Sequence, residues 1–408
     1  MIGRLAWPRM LAASAVAFVV ALGAFHALAA TTTPARPATI NAAALTQRAN
    51  VELQRARETA DPARYARAEA LFRRVLTRDG RDIDATIGLG TLALARHDFR
   101  AALRIGLAAH RLAPQLARPY AVLVDAQIEL GRYEPARRSL QKMIDMRPNL
   151  ASYARVSYYR ELHGDLDGAL QAMALAVSAG GQAPENVAYV QTLLGDLQAT
   201  RGHRGAARRA YATALTQTPG YVPARVSLAR LQAAAGQLHS AISGLQQVVE
   251  QRPLPEYVVA LGEAQQAAGQ PANARETFAL VDAERRLLAA NGINTDVEIA
   301  LFEADHGDPR RAVALGRRAW HAAPSVRSAD AVGWALTRAG RPVQGLVWAR
   351  RALALGWRDP IVLTRAGLSA RAAGRPATAR RYLRRALRAN PRFSLIWAPR
   401  ARRALREL

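Results

Sequence analysis

Histidine is the residue type in this chain best suited to acid–base catalysis or metal binding, and its eight copies are widely dispersed. Five of them recur at or just after short breaks between predicted helices: His97, His163, His203, His239 and His306. The chain has no His-Glu-x-x-His motif, no two histidines four residues apart, and no cysteine. The pattern favours solvent-accessible turn histidines and predicts no metal site.

Carboxylate pairs are the other candidates for acid–base chemistry, at Asp82 and Asp84 and again at Asp165 and Asp167. Both pairs fall at predicted helix starts, where carboxylates cap free N–H groups and complement the helix dipole. The sequence contains no nucleophile-elbow motif, no Walker-type phosphate loop and no dinucleotide fingerprint after a strand. We therefore expect capping residues, no catalytic residues, no cofactor and no enzymatic activity.

A small residue recurs along nearly the whole chain at gaps of 33 to 38 residues. Periodicity of this length is typical of arrays of helix pairs. Two 38-residue gaps interrupt it; the first contains a loop insertion at 178–184, and the second follows a Pro- and Gly-free run at 272–290 that predicts a longer helix. The recurring positions are Ala68, Ala102, Ala136, Ala169, Ala207, Ala241, Ala274, Ala312, Gly345 and Ala379.

Each repeat has the pattern of two amphipathic helices. Around Ala136, for example, apolar residues at helical spacing include Leu123 and Leu130, and a break follows at Gly131. A second apolar face begins at Ala136 and ends before Pro148. Glycine suits the end of the first helix, and proline ends the second.

This ten-unit pattern resembles the tetratricopeptide repeat family, whose unit is a 34-residue helix pair with small residues where the helices cross. The resemblance implies an all-α fold, a right-handed α–α superhelical solenoid of about ten helix hairpins over residues 49–393. It also implies that first helices line a concave groove and second helices form the convex outer surface. Residues 394–408, which are rich in arginine, are predicted to cap the array.

The N-terminus predicts export. Arg4 and Arg9 precede an uncharged run, which ends at Ala27-Leu28-Ala29, a typical signal-peptidase site. Residues 1–29 are therefore predicted to be a signal peptide, with an uncleaved membrane anchor as the alternative. Residues 30–48 are predicted to be a flexible linker. Both alternatives place the array in the periplasm or on the extracytoplasmic face of the cell envelope.

The net charge of +26 comes almost entirely from arginine, since Lys142 is the only lysine. Many arginines fall on predicted second helices, while the inward positions of first helices mix acidic and basic residues. A nucleic-acid channel needs a continuous positive stripe, so we expect no nucleic-acid partner. The inward positions that we predict to contact a partner are Asp125, Tyr158, Glu161, Gln191, Asp196, Arg230, Glu263, Trp334 and Arg338.

These observations predict a non-enzymatic interaction scaffold of the bacterial cell envelope. Its partner would be an unidentified protein or peptide held in the concave groove. The alternative is a structural or assembly factor that associates with an anionic membrane or with the cell wall through its Arg-rich convex surface.

Overall fold

The computed structural model describes residues 41–181 and 183–408, and every regular element in these residues is an α-helix. The predicted signal peptide, residues 1–29, lies outside the described residues, as does most of the predicted linker. The twenty-one described helices form ten consecutive hairpins and one terminal helix. The prediction of an all-α array of about ten hairpins is confirmed.

The hairpins follow one another along the chain, and consecutive helices pack closely on each other at every junction except that between the seventh and eighth hairpins. The first helices are α1 (Ala42–Thr59), α3 (Ile83–Ala95), α5 (Arg118–Glu129), α7 (Leu150–Leu162), α9 (Pro184–Thr200), α11 (Val222–Ala234), α13 (Pro255–Ala267), α15 (Asp296–His306), α17 (Val326–Arg338) and α19 (Pro360–Ala372). The second helices are α2 (Ala63–Arg78), α4 (Phe99–Leu112), α6 (Tyr133–Met146), α8 (Leu166–Ala179), α10 (Arg204–Gln217), α12 (Leu238–Gln251), α14 (Pro271–Ala290), α16 (Pro309–Ala322), α18 (Pro342–Ala352) and α20 (Pro376–Ala389). The terminal helix is α21 (Trp397–Arg406).

The recurring small residue lies where the two helices of each hairpin cross. The alanines at nine of the ten repeat positions are buried with 0% exposure. At the tenth position, Gly345, a methyl group would lie 2.7 Å from the carbonyl oxygen of Gly333 in the preceding helix. The close approach of the helices therefore explains both the alanines and the glycine that replaces one of them.

The helix boundaries follow the capping signals in the sequence. Asp82 accepts a hydrogen bond from the Ala85 N–H at 2.7 Å, and Asp165 accepts one from the Gly168 N–H at 2.9 Å. The predicted capping by these two carboxylates is confirmed. The second 38-residue gap also has its predicted cause, because α14 runs for 20 residues and is longer than any other described helix.

The start of the array differs from the prediction. Helix α1 begins at Ala42, within the segment 30–48 that was predicted to be a linker. The side chain of Asn41 caps the helix by accepting the Ala43 N–H at 3.0 Å. Leu45 and Ala49, four residues apart, are both buried in the core that α1 shares with the next helices. The apolar face of α1 therefore begins more than one helical turn before residue 49, where the array was predicted to start.

The array turns back on itself, so hairpins about 190 residues apart in the chain come into contact. The hydroxyl oxygen of Tyr133 accepts the Val326 N–H at 2.8 Å, and Asn390 donates to the Ala199 carbonyl at 2.7 Å. Apolar residues from both turns share one core. We call this set of contacts the seam.

Two glycines let backbone approach backbone at the seam. Gly131 and Gly164 adopt φ values of +68° and +75°, which favour glycine. A methyl group on Gly131 would collide with the Pro324 carbonyl oxygen, and one on Gly164 would collide with that of Gly356. Both residues end first helices, as the sequence predicted for Gly131, and they also allow the two turns to touch.

Candidate partner-binding surface

The predicted groove residue Asp125 belongs to a buried ion pair between neighbouring first helices. Arg155 donates from Nε to Oδ1 at 2.9 Å and from Nη2 to Oδ2 at 2.7 Å. The two side chains are only 2% and 7% exposed. Burial raises the pKa of Asp125 to about 6, although the charge of Arg155 opposes this shift. This bidentate pair connects α5 to α7 and leaves Asp125 little surface for a partner.

Tyr158 and Glu161, on α7, are also buried. The Tyr158 hydroxyl donates to Glu129 on α5 at 2.9 Å, and Arg327 from the other turn hydrogen-bonds to Tyr158. Burial raises the pKa of Tyr158, and the negative charges of Glu129 and Glu161 raise it further. Asp125, Tyr158 and Glu161 thus lie in one buried polar cluster, which we call the α5–α7 cluster.

A cavity of about 30 Å³ adjoins this cluster at the seam. His97, Glu129, Glu298 and Arg327 are among its lining residues, and they come from both turns of the array. The volume suffices for about one water molecule and is too small for a peptide side chain. This part of the inner surface is therefore filled by the chain itself.

The predicted residues Asp196 and Arg230, on α9 and α11, lie close enough to interact and are partly buried. Tyr211 donates to the Asp196 carboxylate at 2.8 Å, and Arg230 donates to the Glu256 carbonyl at 3.0 Å. Burial raises the pKa of Asp196 to about 6. Asp196 also hydrogen-bonds to Ser227 on α11, so both Asp196 and Arg230 connect a first helix to the next one.

Glu263, which is half-buried on α13, also contacts the next first helix. Its carboxylate lies 3.2 Å from Nε2 of His306 on α15, and the His306 ring stacks on Phe278 with centroids 4.4 Å apart. His306 is therefore a packed inter-hairpin residue with a 6% exposed side chain, so the prediction of a solvent-accessible turn histidine is wrong at this position. Packing against the ring of the preceding second helix removes it from solvent.

The last two predicted residues, Trp334 and Arg338, lie one helical turn apart on α17, with the guanidinium 5.8 Å from the indole centroid. Trp334 is buried and donates to Asp305 at 3.2 Å. Arg338 is exposed but donates to the Ala304 carbonyl at 2.9 Å. Both bonds again join one first helix to the preceding one.

Of the nine predicted residues, Gln191 alone has neither full burial nor a described hydrogen bond within the chain. The structure brings the others together in three separate groups, the α5–α7 cluster, the Asp196–Arg230 pair and the Trp334–Arg338 pair, with Glu263 apart. Contact of these residues with a partner stays a prediction.

Sequence reasoning missed the buried arginines that complete these contacts. Arg155 pairs with Asp125, 30 residues earlier, and Arg365 pairs with Asp330, 35 residues earlier, at 2.7 Å. Opposite charges one repeat apart on first helices are the sequence signal that could have predicted both pairs. The charges alone could not show that the pairs are buried.

One stretch of this array matches a known protein family. Residues 199–258, which span α10 to the start of α13, match the family model described as tetratricopeptide repeat. This stretch carries the tetratricopeptide repeat pattern. The same helix order recurs in the hairpins outside this stretch, with a buried alanine at every crossing but that of Gly345. Among curated proteins, none matches the chain in sequence.

Several solved structures resemble parts of this chain. A thermophilic TPR protein from Thermus thermophilus is 23% identical, with 46% of this chain and 96% of that chain covered and a TM-score of 0.40. PilW, a type IV pilus biogenesis factor, is 17% identical, with 51% and 97% covered and a TM-score of 0.42. PilF of Pseudomonas aeruginosa is 16% identical, with 52% and 92% covered and a TM-score of 0.37.

Within residues 41–181 and 183–408, no helix combines the length and apolarity that crossing a bilayer requires.

Proposed function

We propose that this tetratricopeptide repeat array is a non-enzymatic scaffold that binds a protein or peptide partner along the first-helix surface. The ladder of polar contacts between consecutive first helices carries the proposal. Asp125–Arg155, Arg230–Glu256 and Asp305–Trp334 each join one hairpin to the next. They hold the surface in one conformation before binding, so the partner alone must be ordered.

A continuous accessible part of this surface lies on α9 to α13. Gln191, Arg230 and Glu263 are half-buried there, unlike the fully buried α5–α7 cluster. Neutral, positive and negative groups follow one another on this segment. We propose that an extended or helical peptide binds there through hydrogen bonds and complementary charges.

A photo-crosslinker at Gln191 tests this proposal in the native cell envelope. The matched control carries the crosslinker at Arg208, an exposed position on the second helix α10. We expect one discrete crosslinked partner from position 191, and its loss when Glu263→Lys is added. Crosslinks from position 208 alone would contradict groove binding and favour the alternative, association of the Arg-rich convex surface with membrane or cell wall.

We further propose that the scaffold acts after export, in the periplasm or on the extracytoplasmic face of the envelope. The signal-peptidase pattern at Ala27-Leu28-Ala29 supports this location. N-terminal sequencing of the envelope fraction should find a mature protein that begins at Ala30. A chain that retains residues 1–29 in the envelope would favour the anchor instead, and a purely cytoplasmic chain would contradict export.

A further inference from the structure

The exposed face of helix α20 carries an arginine pocket. Together with Ala377, five arginines line an open pocket of about 510 Å³, within the size range of small-molecule sites. The sequence of α20 contains no aspartate and no glutamate. The five residues are Arg380, Arg381, Arg384, Arg385 and Arg388.

The arginines of this pocket differ from the paired arginines on second helices such as α6 and α16. Arg137 pairs with Glu134 at 2.8 Å, and Arg311 pairs with Asp282 at 2.7 Å. In contrast, none of the five pocket arginines forms a salt bridge with a carboxylate in the described part of the chain. The positive charge of the pocket is thus uncompensated by the protein, although carboxylates compensate arginines elsewhere on the outer surface.

Repulsion within the pocket adds to this imbalance. Arg381 and Arg385 are four residues apart on one helix face, as are Arg384 and Arg388, and like charges at this spacing destabilise a helix. Burial lowers the pKa of Arg385, and the charges of Arg381 and Arg388 lower it further. An anion bound between these residues would relieve the repulsion.

A sixth arginine, in the loop before α19, lies close enough to Arg385 for the two charges to repel each other. Burial and the charge of Arg385 lower the pKa of Arg358. The Nε and Nη1 atoms of Arg358 are buried, and neither has a hydrogen-bond partner among the described residues. Unpaired buried donors are costly in a folded protein. The Nε atom lies beside Gly164 at the seam, so Arg358 adds a positive charge near Arg385 that has no described acceptor.

We propose that the arginine pocket of α20 binds a ligand that carries two or more phosphate groups. Guanidinium groups bind phosphate oxygens through two parallel hydrogen bonds, which fits arginine better than lysine. From Arg380 to Arg388 the helix rises about 12 Å, which exceeds the reach of one phosphate. The headgroup of an anionic lipid and a soluble polyphosphate share this chemistry. The site is separate from the first-helix surface and does not require a protein partner there.

Calorimetric titration of the exported form with inorganic tripolyphosphate tests the site directly. The test variant is Arg381→Gln/Arg384→Gln/Arg385→Gln, and the control is Arg204→Gln/Arg208→Gln/Arg209→Gln on α10, which removes the same charge from another second helix. We expect the affinity to fall about tenfold or more in the α20 variant and less than about twofold in the control. Circular dichroism checks that both variants keep their helices.

Equal losses in the two variants would overturn the proposal, because they would indicate unspecific attraction to net charge. Absence of tripolyphosphate binding by the unaltered protein would overturn it as well.

Flotation with phosphatidylglycerol vesicles, compared with phosphatidylcholine vesicles, distinguishes a lipid headgroup from a soluble polyphosphate as the ligand. Vesicle binding that requires α20 and is displaced by tripolyphosphate supports a lipid headgroup, and tripolyphosphate binding without vesicle binding supports a soluble ligand. An α20-dependent affinity for a single-stranded oligonucleotide but not for tripolyphosphate would overturn the proposal in favour of nucleic acid.

Discussion

The hydroxyl oxygen of Tyr133 accepts a hydrogen bond from the backbone N–H of Val326 at 2.8 Å, across 193 residues of chain. Val326 is the first residue of α17, so its N–H has no partner within that helix. Tyr133 therefore completes the N-terminus of a helix from the other turn. The bond makes the seam a specific contact, because it requires one hydroxyl to reach one buried amide.

Removal of this hydroxyl should weaken the seam. We expect Tyr133→Phe to lower the free energy of unfolding by about 1–2 kcal/mol, because the Val326 N–H loses its acceptor in a part-buried place. Urea denaturation followed by circular dichroism measures the change. The control is Tyr153→Phe, which removes a hydroxyl that has no described hydrogen bond. Equal losses of unfolding free energy in the two variants would show that the Tyr133–Val326 hydrogen bond does not stabilise the protein.

The close approach of Gly164 to Gly356 gives a second test of the seam. Gly164→Ala should cost more than Gly236→Ala, although both residues end first helices with positive φ, +75° and +86°. The methyl group meets the Gly356 carbonyl oxygen in the first case and open space in the second. The control should lose about 1 kcal/mol from backbone strain alone, and the seam variant at least about 2 kcal/mol more. Thermal unfolding of the two proteins compares them, and similar melting temperatures would contradict the seam geometry.

The ion pair of Asp125 and Arg155 should show strong coupling. Each single change, Asp125→Leu or Arg155→Met, should cost about 3–5 kcal/mol, since it leaves one charge buried without its partner. The double variant should be more stable than either single variant, because apolar side chains of similar size then fill the space. A double-mutant cycle in urea measures the coupling energy. Additive losses would contradict a direct buried pair.

The raised pKa of Asp125 predicts a pH dependence of a definite sign. The pKa of this carboxyl is about 6 in the folded protein, and an unfolded chain has about 3.9. The folded state therefore holds the proton more tightly, so its stabilising contribution is complete below about pH 4 and is lost as the pH rises through 6.

The measurement is the difference in unfolding free energy between the unaltered protein and Asp125→Asn from pH 4 to 7. This difference should fall by about 2–3 kcal/mol as the pH rises. Asp282 gives a control of opposite sign, since a hydrogen bond from Arg311 lowers the pKa of that carboxyl. The corresponding difference for Asp282→Asn should rise with pH. A stability difference for Asp125→Asn that does not change with pH would contradict the raised pKa of Asp125.

The polar residues of the first helices show how far the sequence could predict the candidate site. Their inward positions were evident from the helical period, but their hydrogen bonds were not. Consecutive first helices pack side by side, so a residue such as Trp334 reaches Asp305 of the preceding hairpin. Tyr158 contacts Arg327 from the other turn of the array in addition, which no local pattern indicates.

The sequence by itself determined the helix hairpins. Each hairpin forms its core with its nearest neighbours, so the same small residue is needed at every crossing, and the requirement recurs as a period of about 34 residues. Only the tertiary structure decided that the array closes on itself. The contact of Tyr133 with Val326 results from the rotation accumulated over five to six hairpins, and a small rotation per hairpin leaves no mark at any single position of the sequence.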